Sequence, residues 1–188
     1  MNLLNKLSKL KKAYPTLVEL KERQYSACSL KKFKLKSSLF KEVCTEEVKL
    51  LFEIFDKYNY ELKIAGGAVR DLLLGIKPHD IDFATNAPPE YMMDIFEKEK
   101  IRIINLKGLK HGTLPIRIND KANFEVTTLR IDVKTYGRHA EVEFTNDWHK
   151  DAIRRDLTIN TLFLGRYIFR FKNKSEHFIG KLEALIIH

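Results

Sequence analysis

Two aspartates separated by one apolar residue, Asp80 and Asp82, follow a Gly66–Gly67 pair and Arg70 within KIAGGAVRDLLLGIKPHDIDFAT, Lys63 to Thr85. In an extended segment an Asp-x-Asp sets both carboxylates on one face and Ile81 and Phe83 on the other. Two hard oxygen ligands at one place suit Mg²⁺, which takes one or two protein carboxylates and leaves its other positions to water and substrate phosphates. The matching chemistry is phosphoryl or nucleotidyl transfer, in which bound metal activates an attacking hydroxyl and steadies a pyrophosphate leaving group. The glycine pair supplies the complement. A tight turn opening a helix presents backbone N–H groups to a phosphate, and Arg70 adds charge. Either half alone is commonplace, a solvated strand face or a plain turn. Their close succession is what points to function.

The flanking residues read as the elements that would hold these groups. Leu62 to Ala65 is a short apolar strand, and Ala68 to Leu74 has helical composition, stopped by Gly75. Glu46 to Tyr58 carries Val48, Leu51, Phe52 and Phe55 on one helical face. Pro88 and Pro89 open another helix through Lys98, with Met92, Ile95 and Phe96 inward. Ile101 to Asn105 and Thr113 to Ile118 are predicted strands. Phe124 to Leu129 alternates, with Glu125, Thr127 and Leu129 on one side; a central strand beside the aspartates would bring Glu125 to them as a third carboxylate. Taken alone, Glu125 is more often a solvated strand residue. Asp132 to His139 is polar and contains Gly137, which predicts an exposed, mobile loop. Glu141 to Thr145 returns to strand alternation. Asp147 caps a helix that ends in Arg154, Arg155 and Asp156.

This ordered set resembles the head domain of class II nucleotidyltransferases, the family of CCA-adding tRNA nucleotidyltransferases and bacterial poly(A) polymerases. The resemblance is carried by GGAVRD and DIDFAT, then HGT at His111 to Thr113, FEVTTLRID at Phe124 to Asp132, GRHAEVEFTNDW at Gly137 to Trp148, and RRDLTIN at Arg154 to Asn160. It covers about Leu50 to Gly165 and is closest to the eukaryotic, mitochondria-associated CCA-adding enzymes. It implies a polymerase-beta-like head that moves CMP or AMP from CTP or ATP to a tRNA 3′ end. It implies that Glu125 joins Asp80 and Asp82 at the metal, and that Arg154 or Arg155 contacts the triphosphate while Asp156 and Asn160 hold the sugar or the local fold. The loop at 132–139 would help to switch between nucleotides. His111 is assigned a structural or loop-ordering role.

The resemblance stops after Gly165. The family continues with a helical neck carrying a Glu-Asp-x-x-Arg motif, then a body and tail; here Glu183 is followed by Ala, and the chain reads RYIFRFKNKSEHFIGKLEALIIH. A truncated form is therefore expected, with the neck, body and tail absent.

Composition sets the remaining bounds. The 188 residues, 44% hydrophobic, suffice for one domain with a real core, and the net charge of +9 is uneven. Met1 to Cys44 holds 11 Lys/Arg against 3 Asp/Glu, whereas Thr45 to His188 holds 23 against 22. Attraction to RNA by charge alone would come from that leader. It opens with Leu3, Leu4, Leu7 and Leu10 at helical spacing among lysines, the pattern of a transit peptide; a disordered basic leader weighs equally. Cys28 and Cys44 show no metal spacing. No apolar run approaches a membrane span.

The expectation is thus an α+β nucleotidyltransferase head over 45–165, a mixed sheet of about five strands backed by helices, between a leader at 1–44 and a divergent tail at 166–188. Asp80, Asp82 and Glu125 would be catalytic and hold Mg²⁺. Gly66, Gly67, Arg70, Arg154, Arg155, Asp156 and Asn160 would bind nucleotide. The partners would be a tRNA 3′ end, CTP and ATP, without a membrane, in mitochondria or else the cytoplasm or nucleus. The rivals are a poly(A) polymerase-like enzyme and an inactive nucleotide- or RNA-binding fragment.

Overall fold

The computed structural model describes residues 30–35, 38–136, 139–155, 161–169 and 177–185. In order these form β1 (Leu30–Leu35), α1 (Ser38–Val43), α2 (Glu46–Lys57), β2 (Leu62–Ala65), α3 (Gly67–Leu73), β3 (Asp82–Thr85), α4 (Pro89–Lys98), β4 (Arg102–Ile103), a 3₁₀ turn (Leu109–His111), β5 (Thr113–Ile118), β6 (Ala122–Thr128), β7 (Arg130–Tyr136), β8 (His139–Phe144), α5 (Trp148–Ile153), β9 (Leu162–Phe169) and β10 (His177–Leu185).

One mixed sheet runs β1-β10-β9-β2-β3-β6-β5-β4, and β7 and β8 pair separately. Every pairing in the large sheet is antiparallel except β3 with β6. The expected α+β head with helices against a mixed sheet is found, and it is wider than the expected five strands. The added width is β1, β9 and β10, strands that the sequence reading did not expect. Phe40, Val43 and Cys44 are buried as well, so residues before position 45 take part in the core.

α2 forms where it was expected because local signals agree. Thr45 Oγ1 caps it by accepting from the Val48 N–H at 3.4 Å, Glu46 and Glu47 lie in the first turn, and Lys57 lies in the last. Its buried face, Val48, Leu51, Phe52, Ile54 and Phe55, meets the sheet with Phe52 edge-on to Phe83, which is itself edge-on to Phe124 of the neighbouring strand. α4 starts on Pro89 and buries Met92, Ile95 and Phe96 on the same side, and Glu99 at its end accepts from Lys57 Nζ and Tyr58 Oη, each at 2.7 Å. Each of these buried large side chains stabilises the fold by roughly 1.5–3 kcal/mol.

The opposite face of the sheet carries a second, smaller cluster: Ala65, Ala84, Leu129 and Phe163 under Trp148 and Ala152 of α5. Trp148 stands edge-on to Phe163 at 5.0 Å. Asp147 caps α5, accepting from the His149 N–H at 2.8 Å. α5 is therefore the cover of that face.

The stretch at 132–139 is a correction. Most of it is paired strand, since β7 and β8 form an antiparallel hairpin with an irregularity at Asp132/Lys134. Its register sets apolar residues opposite polar ones, Arg130 with Phe144, Ile131 with Glu143 and Asp132 with Val142, so ladder hydrogen bonds rather than a uniformly apolar face define it. Gly137, the leader pattern at Leu3 to Leu10 and Cys28 lie outside the described residues. Among the described residues no helix is long and apolar enough to cross a membrane.

Candidate functional site

A single row of paired residues crosses five strands at one level. Phe163 of β9 pairs with Ala65 of β2, Ala65 with Asp82 of β3, Asp82 with Glu125 of β6, and Glu125 with Pro115 of β5. Residues directly opposite in neighbouring strands share a face. Phe163 and Ala65 belong to the cluster beneath α5, so Asp82 and Glu125 stand on that face, next to what α5 covers and not under it. The strand alternation of the sequence brings these two carboxylates together as neighbours.

Their proximity has an electrostatic signature. The Asp82 side chain reaches solvent, yet enough protein surrounds it that desolvation raises its carboxyl above the usual range; Glu125 and then Asp80 add to the rise and Arg155 opposes it. Asp80 is placed differently from expectation. β3 begins only at Asp82, and Asp80 lies ahead of it with its side chain 81% exposed and 2.9 Å from His79 Nδ1. The contact with Asp80 pushes the His79 imidazole above its ordinary value. Among the described residues no three Asp, Glu, His or Cys side chains gather into a group able to hold a metal ion. Two crowded carboxylates nevertheless fit a hard dication, which relieves their mutual repulsion and uses one or two protein carboxylates.

The wall beside the carboxylates is built from the glycine turn and α5. Gly66 follows Ala65 with φ of 67°, a conformation that costs an L side chain energy, and its N–H donates to the Leu162 carbonyl at 3.2 Å. A Cβ at Gly66 would stand 3.6 Å from Arg155 Nη1, and one at Gly67 would stand 3.6 Å from Arg70 Nη2. Arg70 also donates through Nε to Asp71 Oδ1 at 2.8 Å. Gly66, Gly67, Arg70 and Arg155 thus line one turn. Asp156 and Asn160 lie outside the described residues.

Asp151, which sequence reasoning passed over, is the buried centre of α5. It is 1% exposed. Its Oδ1 accepts from Arg154 Nε at 3.0 Å and Nη2 at 2.8 Å, and its Oδ2 accepts from Arg155 Nε at 3.1 Å and Nη2 at 2.8 Å. Oδ1 also accepts from the Arg130 backbone N–H at 3.1 Å. Burial pushes this carboxyl up, but Arg155 and Arg154 outweigh it and hold it below the usual range. Its spacing to the two arginines, i+3 and i+4 on a helix, was the available signal.

Arg130 sits at the root of the hairpin. Its Nη1 donates to the His111 carbonyl, and its Nε has no hydrogen-bond partner among the described residues. Burial, then Arg154, pushes its guanidinium down from the ordinary value. Gly112 adopts φ of 76°, and a Cβ there would meet Phe144 Cε1 at 2.6 Å. The His111–Gly112 backbone therefore packs against both strands of the hairpin.

Comparison with known proteins agrees with this arrangement. Residues 62–179 match the model of the poly A polymerase head domain family. The chain is 55% identical over 172 residues to the mitochondrial CCA tRNA nucleotidyltransferase 1 of Mus musculus, covering 85% of this chain and 39% of that one. It is 55% identical over 162 residues to the Homo sapiens protein of the same name, covering 81% and 37%. Among solved structures, the Bacillus stearothermophilus CCA-adding enzyme in complex with CTP superposes with a TM-score of 0.55 at 32% identity, covering 69% of this chain and 28% of that one. The chain thus spans well under half the length of the curated relatives it matches.

Proposed function

The chain belongs to the poly(A) polymerase head-domain family, and from that membership we propose that it is a template-independent RNA nucleotidyltransferase head. It acts on the 3′ end of tRNA, with CTP and ATP as donors of CMP and AMP. The 3′-hydroxyl loses its proton to solvent as its oxygen forms a bond to the α-phosphorus, the bond from the α-phosphorus to the α–β bridging oxygen breaks, and pyrophosphate leaves. The observation that carries this reading is the register of Asp82 against Glu125 in the parallel β3–β6 pair, with Arg155 bearing on the same carboxylate. The names of the mouse and human relatives, and the CTP held by the Bacillus stearothermophilus enzyme, support the choice of substrates.

Asp82 and Glu125 would hold Mg²⁺, with Asp80 joining from the approach to β3 as its contact with His79 is given up. The cation would polarise the α-phosphate and balance charge on the pyrophosphate. Gly66 and Gly67 let the triphosphate approach the backbone closely, and Arg70 with one arginine of the Arg154–Arg155 pair supplies charge for the phosphates that all nucleoside triphosphates share. Asp156 and Asn160 are assigned to the sugar or the local fold by resemblance alone. The head takes in residues on both sides of 45–165, supported by buried Phe40 and Val43 and by a family match that reaches 179. A mitochondrial location is supported by the relatives' names and by the basic amphipathic start of the chain.

The exposed Asp80 paired with His79 also favours a second reading, a nucleotide-binding fragment without turnover. One experiment separates the two. Purified chain is incubated with Mg²⁺, labelled CTP or ATP, and tRNA ending before its CCA. Label on the tRNA 3′ end, lost in Asp82→Ala, is the result expected. CTP binding without transfer leaves the fragment, and neither binding nor transfer refutes both.

A further inference from the structure

We infer that Asp151 is a positioning residue: its single buried carboxylate divides the adjacent arginines, fixing Arg155 toward the glycine turn and tying Arg154 to the root of the hairpin. This rests on the nucleotidyl-transfer reading. Neighbours on a helix point about 100° apart, so adjacent arginines would ordinarily diverge. Here one carboxylate, 1% exposed, takes both guanidiniums side-on, each through Nε and Nη2. The consequences differ for the two. Arg154 Nε also donates to the Arg130 carbonyl at 3.0 Å, so it faces the start of β7. Arg155 lies with its guanidinium carbon 5.0 Å from the Phe163 ring centroid, on the transverse row, and its Nη1 approaches Gly66. Asp151 thereby orients the one arginine of the pair that borders both the turn and Asp82, while its other oxygen and the Arg130 N–H lock α5 to the hairpin. A guanidinium so held needs little ordering when it meets a phosphate.

The full 188-residue chain is titrated with CTP and with cytidine in Mg²⁺-containing buffer. Asp151→Asn keeps the volume and removes the charge. It should weaken CTP binding by roughly tenfold to a hundredfold, the range of a charge-assisted contact, and leave cytidine binding unchanged. In an Arg155→Gln background the same change should cost CTP nothing further, because Asp151 acts through Arg155. Additive losses, or a CTP preference unchanged in Asp151→Asn, would overturn the inference. Equal affinity for CTP and cytidine in the unsubstituted chain would instead overturn the functional reading, and this one with it. Should Asp151→Asn unfold below the assay temperature, two milder variants decide. Arg155→Lys should lose CTP affinity with its unfolding temperature retained, and Arg154→Lys should lose unfolding temperature with CTP affinity retained. The reverse assignment refutes the division.

Discussion

The glycine pair offers a perturbation in which stability and ligand binding should move in opposite directions. Gly66 has φ of 67°, and the nearest atom to an added Cβ is Arg155 Nη1 at 3.6 Å, so Gly66→Ala meets no clash and suffers only backbone strain. With ψ of −126° as well, Gly66 lies outside the left-handed helical well, and the strain is about 1–3 kcal/mol. For a chain of this length, 1 kcal/mol moves the unfolding temperature by roughly 2–4 °C, so a fall of roughly 2–12 °C is expected. Gly67 is different. It is the first residue of α3, its φ is not positive, and its Cβ would stand 3.6 Å from the tip of Arg70. Alanine is preferred to glycine in a helix by roughly 0.5–1 kcal/mol, so Gly67→Ala should hold or raise the unfolding temperature by up to roughly 4 °C. If the triphosphate approaches this turn, the added methyl stands in its way beside Arg70, and CTP affinity should fall by about tenfold or more, the scale of one charge-assisted contact. Thermal unfolding and CTP titration of both variants are the assay. A Gly67→Ala chain that binds CTP like the unsubstituted one would remove the turn from the phosphate site. One that loses as much stability as Gly66→Ala would refute the backbone argument.

Asp82→Asn should abolish transfer while stabilising the metal-free fold. Its carboxyl is raised in the folded chain, so its ionisation costs stability that is absent at low pH and appears as pH rises through the unfolded-state and folded-state values; unfolding temperature against pH in chelator should rise in the variant above that window and converge with the unsubstituted chain below it. No difference above the window would dismiss the crowding of Asp82 by Glu125. Arg70→Ala should weaken CTP binding more than cytidine binding, at the lower end of about 1.5–3 kcal/mol because the side chain is 37% exposed; equal losses for both ligands would take Arg70 out of the phosphate wall. Cys44 is 5% exposed and its thiol is pushed up to about 12 by burial, against a smaller lowering by Lys49. It should resist thiol reagents at pH 8 in the native chain and react on unfolding, and fast native-state labelling at Cys44 would contradict the packing of α1.

What the sequence disclosed follows from which signals are local. Strand alternation put Glu125 on the face of Leu129, and β6 does pair with β3 so that Glu125 meets Asp82. The same alternation put Asp80 with Asp82, but alternation has meaning only inside a strand, and β3 starts at Asp82. The helices α2 and α4 were legible because apolar period and end signals coincide. The hairpin was not, since Arg130–Tyr136 and His139–Phe144 set apolar residues opposite polar ones, and a glycine among polar residues, Gly137, reads as a loop centre. Asp151 was hidden for another reason. Its spacing to Arg154 and Arg155 is visible, but an acid with two bases one turn on is the ordinary pattern of a solvated helix face. Only the burial of α5 against Phe163 and Ala65 turns that pattern into a clamp.

The two sides of the site carry charges that neither side can settle alone. On the sheet, burial and then repulsion from Glu125 raise the Asp82 carboxyl. On the cover, Arg154 and Arg155 share the one carboxylate of Asp151, and beside it the guanidinium of Arg130 in β7 is pushed down by burial and then by Arg154. Moving the carboxylates closer to the arginines would cancel both strains, but it would also close the space that a triphosphate needs. The register of β3 with β6 prevents that, because it fixes the acids at the edge of what α5 covers. The fold therefore keeps the crowded carboxylates and the arginines apart, and on the proposed reading the ligand would bring a cation to one and an anion to the other. A metal-bound nucleoside triphosphate has that composition. On the proposed reading, binding of the metal and binding of the triphosphate would be coupled reciprocally, each removing the repulsion that the other would meet.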